Sequence, residues 1–367
     1  MRTLVVSDLH LGARTHVDVL RRPAALAALC SALGAVDRLV ILGDLLELRH
    51  GPAHEALDAA RPVLGAIAAA LGDGEVVIVP GNHDHRVIAP WLEQRFGPYP
   101  LGVEQRVGSG ATALGAELAG MLAPARVELA YPGLWLADGV YATHGHYLDR
   151  HVSVPSFERL AAGGLGRALG APAGEARNPD DYERVLAPLY ALLDAVAART
   201  HSATTAATHG PSARAWAALS GGARPWRTRV LALGFPLAIA VLNRAGIGPL
   251  RADLSGPALR RAGLAAMTEV AVRLGVGDAR AVIFGHTHRA GPLPDDELAE
   301  WALPAGGRLL NAGSWVYEAM YLDRGWGGPY RPGGAIALDA DGQPRHVQVL
   351  EGLAVEQLRP RRGPGRD

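Results

Sequence analysis

Carboxylates, a carboxamide and imidazoles cluster at the ends of short apolar runs in this chain. Those runs close on Asp8-Leu9-His10, Gly43-Asp44, Gly81-Asn82-His83-Asp84, His144-Gly145-His146 and Gly285-His286-Thr287-His288. Oxygen donors mixed with imidazole nitrogen suit first-row divalent metals, and no thiolate accompanies them to favour a structural zinc. The donors outnumber what a single tetrahedral ion takes, but they suit a pair of ions sharing a bridging carboxylate. Such a pair, roughly 3.5–4 Å apart, clamps a phosphoryl group and makes hydroxide available near neutral pH. Histidines outside these groups read differently: His16, His50, His54, His85, His201, His209 and His346 are assigned to loops or to the core.

The donors need strands to aim them. Residues 2–6, 38–42, 75–79, 139–143 and 279–284 are rich in Val, Ile and Leu, and helical stretches over 22–35 and 53–71 separate the first three. Short buried strands alternating with helices predict a parallel sheet with right-handed crossovers, and ligands collect at the carboxyl ends of such strands. Asp8 and His10 stand one residue apart, so in an extended segment both point the same way. Glycines 43, 81, 145 and 285 let the backbone come close to a ligand. Further on, 308–311 reads as a strand, and Asp341-Gly342 as the turn of a hairpin.

Composition narrows the function classes. The 367 residues are 49% hydrophobic, enough for one large domain or two. Formal net charge is zero, so no global field recruits nucleic acid or an anionic membrane. Every basic residue is arginine, which excludes a Walker-type phosphate loop and any Schiff-base chemistry. Cys30 stands alone, so no intrachain disulfide forms. With Asp8 as a ligand, the amino terminus lies inside the first core strand; no cleaved leader and a cytoplasmic location are expected.

Between the fourth and fifth motifs, 149–278 is far longer than a crossover needs and is expected to be a mainly helical insertion or lid that sets substrate choice. Asn178-Pro179-Asp180-Asp181 reads as a helix start, with Val185, Leu189, Leu192 and Val196 on one face and a kink at Pro188. A second helix covers 255–274, closed by Gly275. The apolar run 230–242 is too short to span a bilayer. It reads as a helix buried in a helical cap, or as a groove or peripheral membrane patch for an acyl chain. A disordered tail is expected over 353–367.

Taken in order, the five motifs resemble the blocks of the calcineurin-like metallophosphoesterases, over residues 8 to 288. Asn311-Ala312-Gly313-Ser314 is similar to that family's closing Asn-Pro-Gly-Ser turn, with Ala312 in place of proline. The resemblance implies a four-layer αββα sandwich of two mixed sheets, with catalytic-domain segments 1–148 and 279–352, in place of the single sheet that periodicity suggests. It implies one ion on Asp8, His10 and His288, a second on Asn82, His144 and His286, and Asp44 between them. Manganese is the expected metal, with Fe, Zn and Mg as alternatives. His83 is then not a ligand but faces the phosphoryl oxygen or leaving group as a general acid of near-neutral pKa, its ring oriented by Asp84. Glu47 stands where many members carry Asp and is expected to hold a ligand histidine.

The implied reaction is hydrolysis of a phosphodiester, pyrophosphate or phosphomonoester by a metal-bridging hydroxide. A phosphorylated small-molecule, nucleotide-linked or lipid substrate is expected. Asp-Leu-His-Leu and Gly-Asp-Leu-Leu-Glu are similar to the enzymes that cleave UDP-diacylglucosamine at its pyrophosphate. His83 and His146 depart from that subgroup, which carries Arg and Asp there. The alternatives are a nuclease or cyclic-nucleotide phosphodiesterase, and a non-catalytic metal-binding scaffold. No stretch of basic residues interleaved with aromatics supports the nuclease.

Overall fold

Thr3–Val6 (β1) is apolar, mostly β-branched and buried along its whole length, as a strand covered on both faces must be. In the computed structural model, which describes residues 1–95, 100–153, 157–168, 170, 176–199, 244, 253, 256–322 and 328–360, it is an inner strand of a seven-stranded sheet. β2 (Arg38–Leu42), β3 (Glu75–Val79) and β5 (Arg126–Tyr131) follow it in parallel. β4 (Gln105–Gly108) closes that edge antiparallel, and the hairpin β10 (Gly334–Leu338)–β11 (Pro344–Gln348) closes the other.

A second, four-stranded sheet runs β6 (Gly133–Ala137), β7 (Val140–Thr143), β8 (Ala281–Phe284), β9 (Arg308–Asn311), with β7, β8 and β9 parallel. Alternate side chains of the two sheets meet between them: Val5, Val40, Leu42, Val77 and Val79 pack with Leu134, Val140, Ala142, Ile283 and Leu310. On the outer face of the larger sheet, Leu4, Val6, Leu39, Ile41, Val76 and Ile78 pack under helices α1 (Pro23–Leu33), α2 (Ala53–Leu71) and α4 (Ala113–Met121). Two mixed sheets with flanking helices are therefore present, not the lone sheet suggested by periodicity.

The chain divides into two compact units. The first holds Met1–His146, Tyr190–His201 and Asp278–Asp367, and so both sheets; the second holds Tyr147–Leu189 and Ser202–Gly277. Tyr190–His201 thus groups with the sheets although it lies inside the expected insertion. In the second unit, α6 (Pro179–Arg199) begins where Asn178 Oδ1 accepts the Asp181 N–H at 3.1 Å. Tyr147 stacks on Tyr182 at 4.5 Å and donates to Glu183 at 2.7 Å. Helix α7 (Gly256–Arg273) ends on Gly275 at φ 73°, a left-handed closure.

Two expectations change. Val185 and Leu189 of α6 are buried, but Leu192 and Val196 are 61% and 57% exposed; Tyr190, Asp194 and Ala197 are buried instead. The stripe read from the sequence assumed one buried face, whereas the helix serves a different unit in each half. Within the tail expected to be disordered, Val355–Leu358 is a short helix with Leu358 buried. The apolar run 230–242 lies outside the described residues. No helix among the described residues is long and apolar enough to cross a membrane.

Candidate metal centre

At the carboxyl ends of β1, β2, β3, β7 and β8 the backbone turns sharply. Asp8, His10, Asp44, His286 and His288 all adopt left-handed conformations, at φ 56°, 44°, 51°, 63° and 58°. A non-glycine residue there costs about 1–3 kcal/mol, and Asp and His are among the residues that tolerate it best. Close approach adds a second constraint. A Cβ on Gly43, itself at φ 85°, would sit 2.1 Å from His144 Nδ1; one on Gly81 would sit 2.3 Å from Asp44 Oδ1.

These turns bring the predicted donors together. His10 Nε2 stands 3.2 Å from His288 Nε2, with Asp8 Oδ1 at 3.3 Å from the latter. His144 Nε2 stands 3.1 Å from Asn82 Oδ1, which His286 Nδ1 also approaches at 3.1 Å. Asp44 lies between the two groups, its Oδ2 at 3.6 Å from His10 Nε2 and 3.4 Å from His144 Nε2. Asp44 Oδ1 accepts the His83 backbone N–H at 2.8 Å. In Asp8–His10–His288 and in Asp44–His144–His286, one ligand atom per residue falls within 4.8 Å of the others; His10–Asp44–His83 meets the same condition.

The outward nitrogens fix where the protons are. His144 Nδ1 donates to the Leu42 carbonyl at 3.0 Å, His10 Nδ1 to Glu47 at 3.0 Å, and His288 Nδ1 to Glu318. In each neutral ring Nε2 is then a bare lone pair, turned inward on carboxylates, an amide oxygen and one another. Asp8 Oδ1 is buried with no hydrogen-bond donor. Acceptors facing acceptors in a buried place call for positive charge, and imidazoles held by carboxylates or carbonyls are the usual arrangement around a metal ion. The residues fit divalent metal.

Electrostatics agree. Burial alone would raise the Asp8 and Asp44 carboxyls, but His288 beside the first, and His144 and His83 beside the second, hold both below the usual range. Burial opposes charge on His144, yet Asp44 lifts it to about 9. The site draws positive charge to itself, as protons when nothing else supplies it.

The calcineurin-like phosphoesterase family model matches residues 1–190, more than half of the chain. The chain belongs to that family. His286 and His288 of this phosphoesterase lie beyond the matched range and join the site through the fold. No curated protein matches the sequence. Among solved structures, that of a cold-active protein-tyrosine phosphatase of the psychrophile Shewanella sp. aligns over 95% of this chain and 80% of its own. Its identity is 13% and its TM-score 0.29, too weak a likeness to carry an argument.

Around the donors, the phosphoesterase departs from the sequence reading twice. Asp84 does not touch His83: it accepts the backbone N–H groups of Leu45, Leu46 and Gly81 at 2.7, 3.3 and 2.7 Å, tying the second and third motif loops together. Burial and then the Asp44 charge push its carboxyl up to about 6. Glu47 takes the orienting task, receiving His83 Nδ1 at 2.8 Å on the carboxylate that holds His10. Nor is His83 near neutral pKa. Burial pushes it down to about 4 against the Glu47 charge, with Arg49 adding to the depression.

Some supporting residues carried no sequence signal. Ser7 Oγ lies 2.6 Å from both the Leu42 carbonyl and Asp8 Oδ2. Asn311 Nδ2 lies 2.9 Å from both the Gly285 carbonyl and Thr287 Oγ1, steadying the last motif. Asn311 was legible as part of the closing turn, but not its grip on that loop. Glu318, the partner of His288, belongs to no motif.

Proposed function

We propose that this phosphoesterase is a binuclear metal-dependent phosphohydrolase acting on a phosphodiester, pyrophosphate or phosphomonoester. The carrying observation is the 3.2 Å approach of His10 Nε2 to His288 Nε2, with each ring's other nitrogen committed to a glutamate. Asp8, His10 and His288 would hold one ion and Asn82, His144 and His286 the other, with Asp44 shared; Mn²⁺ is the proposed metal. Two such ions supply a water of lowered pKa and positive charge for the phosphoryl oxygens.

The chain's own groups do the rest. Glu47 keeps the His83 proton on Nδ1, so Nε2 meets the substrate as a lone pair. An anionic phosphoryl oxygen arriving there favours the charged ring, restoring a proton that burial had removed, and the imidazolium then stabilises charge or protonates the leaving oxygen. Asp84 locks the loops bearing Asp44 and Asn82 without touching the reacting atoms. A lipid- or nucleotide-linked substrate is proposed from the apolar insertion; zero net charge argues against a nuclease.

The test uses protein stripped by chelation and reloaded with Mn²⁺, Mg²⁺, Zn²⁺ or Fe²⁺. It is assayed on bis(p-nitrophenyl) phosphate, p-nitrophenyl phosphate, nucleotides, UDP-sugars and phospholipids. Two equivalents of metal and restored hydrolysis are expected. Full activity in Asp44→Asn would remove the shared-ligand role, and hydrolysis untouched by chelation would remove the metal.

A further inference from the structure

Beside the metal centre, two groups of opposite charge hold buried polar atoms without meeting. Arg49 follows Glu47 by two residues, and its backbone N–H donates to Glu47 Oε1 at 3.0 Å, so it springs from the carboxylate that holds His10 and His83. Its guanidinium carbon lies 5.2 Å from the Tyr190 ring centre, yet its Nε and Nη2 are buried with no hydrogen-bond partner. Asp194 lies one helical turn beyond Tyr190 on α6, in the half that groups with the sheets, and is 7% exposed. Its Oδ1 likewise has no partner, and no ion pair joins it to Arg49 among the described residues. Arg49, Arg86, His85 and Glu47 all act on its charge. Tyr190 leads inward: its ring lies 5.8 Å from His146, which lies 5.5 Å from the proposed ligand His144.

Buried guanidinium nitrogens and a buried carboxylate oxygen without hydrogen-bond partners are each costly, and fold stability alone would not keep both. Both placed about Tyr190, they offer donors and an acceptor to one ligand. A second phosphate would suit Arg49 but be repelled by Asp194; an acyl chain would satisfy neither. We propose that Arg49 and Asp194 form a subsite for a hydroxyl-bearing group esterified to the scissile phosphorus, a sugar or glycerol moiety. Arg49 donates to a phosphoryl or ester oxygen, and Asp194 accepts from a hydroxyl. The subsite rests on the phosphoesterase reading and narrows its substrate class.

The test compares methyl p-nitrophenyl phosphate with glyceryl p-nitrophenyl phosphate and thymidine 5′-(p-nitrophenyl) phosphate on the Mn²⁺-loaded full chain. All release the same chromophore and differ in the hydroxyl-bearing arm; the last two tell glycerol from sugar. Wild type should favour at least one hydroxylated ester by about tenfold in kcat/KM, the scale of a hydrogen bond to a charged group. In Asp194→Leu that preference should collapse toward unity, with Asp194→Asn in between. Removing an unpaired carboxylate should leave Tm at pH 8 unchanged or higher, whereas a structural role would lower it. A wild-type preference near unity, or one kept in both variants, overturns the subsite. A metal-loaded wild type that cleaves none of the esters overturns the phosphoesterase reading itself.

Discussion

Glu47 carries two imidazoles on one carboxylate: His10, a proposed metal ligand, and His83, proposed to face the substrate. Glu47→Gln keeps shape but can accept on one oxygen only, leaving one ring free to turn. A loss of about 10–100-fold in activity or metal affinity is expected, the usual scale for partners behind metal ligands. Calorimetric metal titration beside steady-state kinetics separates the two effects. His83→Ala should lower kcat by about 10²-fold while keeping both metals. Metal loss there would instead make His83 a ligand, as the His10–Asp44–His83 grouping allows geometrically. At this scale the chain was legible where chemistry sits beside a strand, as with Asp8, Asp44 and His286. Asp84 misled because adjacency to His83 suggested a contact, whereas successive residues at a sharp turn point apart. Glu318 could not be found: nothing in its surroundings marks it as the partner of a histidine thirty residues earlier.

The strand ends are built from conformations that L-residues rarely adopt, packed without room for a methyl group. Gly43→Ala places strain on a left-handed residue and drives a Cβ into the His144 ring. A loss of about 1–3 kcal/mol in apoprotein stability is expected, with weaker metal retention because His144 can no longer reach Leu42. Thermal unfolding and elemental analysis measure the two. Strand positions were readable from β-branched runs, and the Asp341-Gly342 hairpin from its turn residues. The partition into two sheets was not, since β7 pairs with β8 across a large insertion and no local period records that. Helix α6 was found, but its buried stripe was drawn through Leu192 and Val196, because a sequence period cannot show a helix changing partners midway.

For the whole molecule, ligand linkage and protonation set stability. Metal that binds only the folded chain should raise stability by about 2.7 kcal/mol at a hundredfold excess over Kd, reversed by chelator, as read by Tm against metal concentration. Asp194 gives a pH effect. Burial pushes its carboxyl up from 3.8 to about 6, against the charges of Arg49, Arg86 and His85. A folded pKa above the unfolded one favours the fold below about pH 4, and that contribution is lost as pH rises through 6. The Tm of Asp194→Asn minus that of wild type should therefore climb between pH 4 and 7. A flat difference would mean the carboxyl is solvated. No sequence pattern marked Asp194, because it lies in an insertion and reaches the first unit only through the fold.

Asp8, His10, Asp44 and Asn82 leave the larger sheet, whereas His144, His286 and His288 leave the smaller one. Cations gripped from both sides would act as a rivet through one rim of the sandwich, with aliphatic packing joining its layers farther in. Loading should slow amide exchange along Ala281–Phe284 and Val140–Thr143, far more than in the β10–β11 hairpin, which supplies no ligand. Emptying it should let the layers breathe apart from that rim first.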